Sequence, residues 1–196
     1  MILLASRSPR RRDLLNQLGV NFEILDLEVD ESPVAGETPD ALVRRLAVAK
    51  AEAGRRLRDG CDGCDARPVL GADTIVVLDG EVLGKPRDAA HACELLMRLS
   101  GRCHHVMSAV ALASAGGTHT RSSESRVCFR QLSRHECEAY AATVEPLDKA
   151  GGYAIQGRAA AFVSELQGSY SGVVGLPLYE TAELLTQAGV ALFPGD

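Results

Sequence analysis

Val69-Leu70-Gly71-Ala72-Asp73-Thr74-Ile75-Val76-Val77-Leu78 is followed at once by Asp79-Gly80 and Glu81-Val82-Leu83. The first ten residues, Asp73 and Thr74 apart, are apolar and rich in β-branched side chains, the composition of a buried strand, and Asp-Gly is a strong two-residue hairpin signal. A strand and hairpin are therefore expected here. Upstream, Thr38-Pro39 opens a helical pattern through Leu42, Val43, Leu46, Ala47 and Lys50, with the Arg55 to Pro68 segment expected as a surface loop. Downstream, Asp88 opens a second pattern on Ala92, Leu95, Leu96 and Leu99. Further out lie a short strand at Ile2 to Ala5, a helix led by Ser8-Pro9 and closed by Gly19, and a strand from Val20 to Leu27. Towards the C-terminus are strands at Val106 to Ser114 and Thr118 to Phe129, a capping box at Ser133 to Glu136, a glycine-rich stretch from Gly151 to Gly175, and a last helix from Leu176-Pro177. Strands and helices alternate without repeats, so an α/β fold with a mixed sheet is expected.

The chain has 196 residues, 46% hydrophobic and 24% charged, with a mean hydropathy of -0.00. A chain of this size buries roughly 70% of its unfolded surface and needs no disulfide or metal to hold a core. Its net charge of -5 argues against general affinity for nucleic acid or anionic membranes. With 4% aromatic residues and no Trp, base-stacking platforms are not expected. The longest apolar run, Ala109 to Ala115, is strand length and no membrane span is expected. At the N-terminus the basic residues follow the apolar run, the wrong order for a secretory signal, and the six Cys are accordingly expected as reduced, mostly buried thiols of a cytoplasmic protein.

Several residues sit where structure alone does not call for them. Arg7, Arg10, Arg11 and Arg12 crowd a helix start, where cations oppose the helix dipole, so either a bound phosphate or polyphosphate compensates them or they form a solvated basic turn. The Walker pattern and GxGxxG are both missing from this junction. Asp73 interrupts an apolar strand, where a carboxylate must be paired or used, as a metal ligand, as a base for water, or as an acceptor for a nearby loop. Lys85, between Gly84 and Pro86, is either a second cation for the same end of the sheet or a surface lysine. Lys50 lies among apolar helix positions and must find a partner or snorkel, while Glu28, Asp30 and Glu31 supply further carboxylates. Cations for an anion together with carboxylates for a metal are the components of metal-assisted phosphate chemistry. There is no GxSxG to suggest a nucleophile. Gln156, in Gly152-Tyr153-Ala154-Ile155-Gln156-Gly157, offers a donor and an acceptor suited to a nucleobase edge, against the plainer reading of a glycine-rich turn. Cys61-Asp62-Gly63-Cys64 with Cys103-His104-His105 is a weak pattern for zinc.

Three ordered blocks, spanning nearly the whole chain, resemble the Maf-type nucleoside triphosphate pyrophosphatases, also known as septum-formation-inhibitor-like proteins. They are Leu4 to Arg11 with Leu14-Leu15, Gly71 to Val76 with Gly84-Lys85-Pro86, and Gly152 to Gly157 with Gly168-Ser169-Tyr170 and Val174 to Thr181. Arg10-Arg11 and the Tyr-Ala-Ile-Gln string resemble the subgroup acting on dTTP and UTP rather than the one acting on 7-methyl-GTP. The resemblance implies a single catalytic domain over residues 1–196, built on a bent mixed sheet with two lobes around a deep cleft, as in the inosine triphosphatase-like group. It implies hydrolysis between the α and β phosphates, with Asp73 as the proton acceptor for water and Lys85 and Glu31 as further catalytic groups. Ser8, Arg10, Arg11, Lys50 and Lys85 would hold the triphosphate, Glu31 and Asp73 a divalent metal (Mg or Mn), and Arg11, Thr74 and Gln156 would govern substrate choice. A cytoplasmic housecleaning enzyme follows, with a nucleotide as its partner and a homodimer as one implied assembly. Departures are Arg7, where many relatives carry a small residue, and the Cys61 to Cys64 loop. The alternative from another class is a nucleotide-binding regulator of division without useful hydrolysis; the full set of Asp73, Lys50, Lys85 and Glu31 weighs against it, since a binder needs no buried base.

Overall fold

In the computed structural model, residues 1–60 and 66–193 are described. Strand β1 (Ile2–Leu4), helix α1 (Pro9–Gln17), β2 (Phe22–Ile24), α2 (Pro39–Asp59), β3 (Val69–Leu78), β4 (Glu81–Leu83) and α3 (Ala89–Leu99) come first. They are followed by β5 (Cys103–Ser114), β6 (Gly117–Phe129), α4 (Arg134–Ala141), β7 (Val163–Gln167), α5 (Tyr170–Val174) and α6 (Leu178–Gln187). Local chemistry starts three of the helices. Thr38 accepts from the Ala41 amide at 3.3 Å, Asp88 from the His91 amide at 2.7 Å, and Ser133 and Glu136 cap each other's backbone reciprocally. The strands form one mixed sheet in the order β2-β1-β3-β5-β6-β7, with β4 on β3. β1 runs parallel to both β2 and β3, whereas β4 is antiparallel to β3 and β7 to β6. The expected α/β class with a mixed sheet is what forms.

The chain divides into two compact units. The first comprises Met1–Asp73, Ser108–Ser123 and Gly175–Asp196. Within it α2 lies close on β3 because two glycines allow it: a Cβ on Gly71 would sit 2.5 Å from the Ala47 carbonyl oxygen and the Ala51 nitrogen, and one on Gly54 2.7 Å from Val69. Val69, Gly71 and Asp73 alternate onto the same face of β3, so this contact carries Asp73 towards α2. The second unit, Thr74–Met107 with Glu124–Val174, has its own core. There Val76, Leu78 and Leu83 pack with Leu95, Leu96 and Leu99 of α3 and with an aromatic group of Phe129, Tyr140, Tyr153 and Phe162.

Three expectations change, and the glycine-rich stretch gains detail. β2 is only Phe22–Ile24, because its partner β1 ends at Leu4, opposite Ile24; beyond it Asp26 pairs with Arg7. α2 continues through Arg55 to Asp59, where Arg55 pairs along the helix with Glu52 and Asp59. The glycine-rich stretch contains β7 and α5, besides two 3-10 turns at Ala150–Gly152 and Arg158–Phe162. Cys103 and Cys128 are joined in a disulfide, not held as reduced thiols: neighbouring strands β5 and β6 bring the two residues face to face across a separation of 25 that the sequence does not mark. Cys93 and Cys137 are free and buried, and Cys61 and Cys64 lie outside the described residues. No described helix is long and apolar enough to cross a membrane.

Candidate active site

Lys50 and Asp73 are both buried, at 9% and 7% exposure. The Lys50 ammonium lies 2.6 Å from Asp73 Oδ1 and 2.5 Å from Glu31 Oε1, so one buried cation joins two carboxylates from different segments. The partner that Lys50 needed is thus Asp73, and the charge in the apolar strand is paired. Glu31 is the exposed member and comes from the irregular stretch after β2. That stretch is tied to α2 by a residue not singled out from the sequence. Arg45 donates to both oxygens of Glu37, at 2.7 and 2.9 Å, and to the Ser32 carbonyl at 3.0 Å, while the Ser32 amide donates to Asp30. Its guanidinium holds Glu37 below the usual carboxylate range, and the Ser32 hydrogen bonds do the same for Asp30. Nothing local announces these contacts; the only signal is an arginine one turn before Lys50.

At the start of α1, Ser8 occupies the cap position but makes no side-chain cap, and the first turn contains no acidic residue. A helix start of this kind, without a side-chain cap or a first-turn carboxylate, is the place where an anion is favoured by the helix dipole. Arg11 folds inward, donating from Nε to the Gly175 carbonyl at 2.8 Å and from Nη1 to Ser6 Oγ at 3.2 Å. Burial lowers the pKa of its guanidinium, Asp73 and Glu31 oppose that shift, and Arg10 adds to it, which sets these charges within range of one another. The group remains a cation. Arg7 is different: exposed, it pairs with Asp26 and Glu28. The first unit thereby brings together Arg11, Glu31, Lys50 and Asp73, with Ser8 and Arg10 on the same helix start. Gly71, whose missing side chain allows the approach of α2, was detectable as a glycine inside a strand.

The remaining candidates belong to the second unit. Thr74 follows Asp73 on β3 and is half-buried; Lys85 is exposed just past β4. Gln156 is exposed in a turn closed by the Gly157 amide on the Ala154 carbonyl at 3.0 Å.

Residues 1–188 match the family described as Maf-like protein. The chain belongs to the Maf-like proteins. Among its relatives, the dTTP/UTP pyrophosphatase of Aromatoleum aromaticum is 52% identical over 201 residues, covering 97% of each chain. That of Alkalilimnicola ehrlichii is 54% identical over 186 residues, covering 95% of this chain and 92% of the relative. The same name is carried by a Nitrosomonas europaea protein, 52% identical over 98% of this chain and 96% of its own. Among solved structures, the nucleoside-triphosphatase / dITP/XTP pyrophosphatase of Mycobacterium abscessus aligns with a TM-score of 0.43 at 20% identity over 65% of this chain and 73% of that one.

Among the described residues of this Maf-like chain no group of three or more His, Cys, Asp or Glu side chains is placed to hold a metal ion, so a divalent metal would have two protein carboxylates at most. Glu31 and Asp73 already converge on one cation, and carboxylate oxygens are the hard ligands that Mg or Mn takes, commonly one or two of them with substrate phosphates filling the shell.

Proposed function

We propose that the protein hydrolyses dTTP and UTP between the α and β phosphates, releasing the monophosphate and pyrophosphate and so removing surplus or modified pyrimidine nucleotides. The observation that carries this reading is the buried Lys50 between Asp73 and Glu31, in the same unit as an uncapped, arginine-rich helix start. It is supported by the name shared among relatives at 50–54% identity.

In this reading Ser8, Arg10, Arg11, Lys50 and Lys85 bind the triphosphate, the guanidinium forks matching phosphate oxygens and the helix amides adding a positive end. Glu31 and Asp73 would hold Mg or Mn, which when bound neutralises charge developing on the phosphoryl oxygens. Asp73 accepts the proton of the attacking water, and the neighbouring Lys50 ammonium keeps that carboxylate oriented. Lys85 offsets charge on the leaving pyrophosphate. Thr74 and Gln156 hydrogen-bond the O2/N3/O4 edge of uracil or thymine, and Arg11 shares in substrate choice. A role in clearing the nucleotide pool fits a cytoplasmic protein, and a homodimer is the assembly that the family resemblance offers for it.

The test is chromatographic product analysis after incubation with dTTP, UTP, CTP, ATP, GTP and 7-methyl-GTP, with and without Mg or Mn. Metal-dependent formation of dTMP or UMP with pyrophosphate is expected. Release of single phosphate, or reaction with 7-methyl-GTP alone, would overturn the proposal.

A further inference from the structure

The turn carrying Gln156 is held by side chains that no part of the proposed chemistry uses. Tyr140, on α4, is buried, and its hydroxyl donates to Glu145 Oε1 at 2.8 Å while accepting the Ala154 amide at 3.1 Å. The other oxygen of Glu145 accepts the Arg158 amide at 3.3 Å. Between these two anchored amides lie Ile155, Gln156 and Gly157. A Cβ on Gly157 would fall 2.3 Å from Glu145 Oε1, so the carboxylate rests directly against the backbone of the residue after Gln156. Glu145 is itself fixed, since Lys149 donates to its carbonyl at 2.7 Å. On the near side, Tyr153 Oη lies 2.7 Å from His104 Nε2, and its ring meets Phe129 edge-on with centroids 4.9 Å apart.

We propose that Tyr140 and Glu145 form a clamp that positions the Gln156 turn and thereby sets discrimination among pyrimidine bases. This rests on the assignment of Gln156 to the base edge. Neither residue touches the substrate; they are positioning residues. A side-chain amide distinguishes uracil from cytosine only if its donor and acceptor arrive in the correct order and place. A turn free to shift by about 1 Å loses that distinction while leaving phosphate chemistry alone. Tying both flanking amides to one hydroxyl–carboxylate pair removes that freedom.

Glu145→Gln replaces one acceptor oxygen by an NH2 donor, so one of the two protons, from the Tyr140 hydroxyl or the Arg158 amide, loses its carboxylate oxygen. Tyr140→Phe keeps the ring, which packs 5.3 Å from Phe162, and removes the hydroxyl. For both variants the expected result is a KM for UTP raised about tenfold, kcat within about threefold of the parent, and UTP-over-CTP preference reduced about tenfold. Amide hydrogen exchange at Ala154 and Arg158 should accelerate at least tenfold, with α3 protection unchanged as the control for folding. Gln156→Ala should lose the same preference, and adding Glu145→Gln to it should cost little more. Preference retained in Glu145→Gln but lost in Gln156→Ala would overturn the clamp. Should Gln156→Ala itself keep the preference, the base assignment has failed, and exchange decides the clamp alone: lost protection supports it and retained protection overturns it.

Discussion

At Asp73 and Lys50 the charges are affordable only as a pair, since each is more than nine-tenths buried and a lone ion there would face a desolvation penalty of several kcal/mol. Removing one therefore tests two things at once, unless the replacement keeps a hydrogen-bond acceptor. Asp73→Asn does so: its carbonyl can still receive the Lys50 ammonium, and Glu31 still balances the charge. Stability should fall by no more than about 2 kcal/mol, whereas turnover should fall at least about 10³-fold because an amide cannot accept the proton of water. Thermal melts beside metal-saturated kcat for UTP separate the effects, and wild-type turnover in the variant would remove Asp73 from the reaction. Lys50→Ala, by contrast, takes away the ammonium that Asp73 contacts and leaves only the more distant Arg11 to balance it, so it should cost about 3 kcal/mol by urea unfolding.

Those two side chains meet because an element meets another closely. α2 approaches β3 over Gly71, and Gly71→Ala would drive a methyl group to 2.5 Å from backbone atoms of Ala47 and Ala51, neither of which has rotamer freedom to move aside. The helix must lift, which should destabilise the fold by about 1–3 kcal/mol and weaken UTP turnover through the displaced Lys50. An alanine variant with parental melting and turnover would show that the approach is not needed. β3 itself was legible to its bounds, Val69 to Leu78, and so were the helix starts at Thr38, Asp88 and Ser133, because each signal lies within a few residues. That Lys50 would need a partner was also legible, from a cation among apolar positions. What the sequence does not display is pairing over distance. The Cys103–Cys128 bond, Arg45 reaching back to Ser32, Arg11 on the Gly175 carbonyl and Glu145 against Gly157 all depend on where the sheet and helices bring separate segments. The short β2 shows the reverse: an alternating apolar pattern ran on to Leu27, but the ladder stops where its partner β1 stops, at the Leu4–Ile24 pair.

For the molecule as a whole, acid should act in two stages. His104 is fully buried among aromatic rings, its Nε2 beside Tyr153 Oη, and burial, helped by His105, pushes its pKa down from 6.5 to about 4. Between those values the unfolded chain binds a proton that the folded one refuses, so stability is flat above about pH 6.5 and falls as pH drops towards 4. The full loss from this one group is on the order of 3 kcal/mol. Glu136 works in a later window: hydrogen bonds from Arg130 and Ser133 hold it at about 2 against 4.5, so the stability it adds is present above pH 4.5 and disappears only below it. Urea midpoints measured from pH 7.5 to 4.5 should therefore decline mainly through His104. His104→Gln keeps a polar partner for Tyr153 without titrating, and its midpoint should be nearly level over that range whatever its value at pH 7.5. A variant that declined as steeply as the parent would locate the acid sensitivity elsewhere, and would mean that the folded protein admits a proton at His104 without opening its aromatic core.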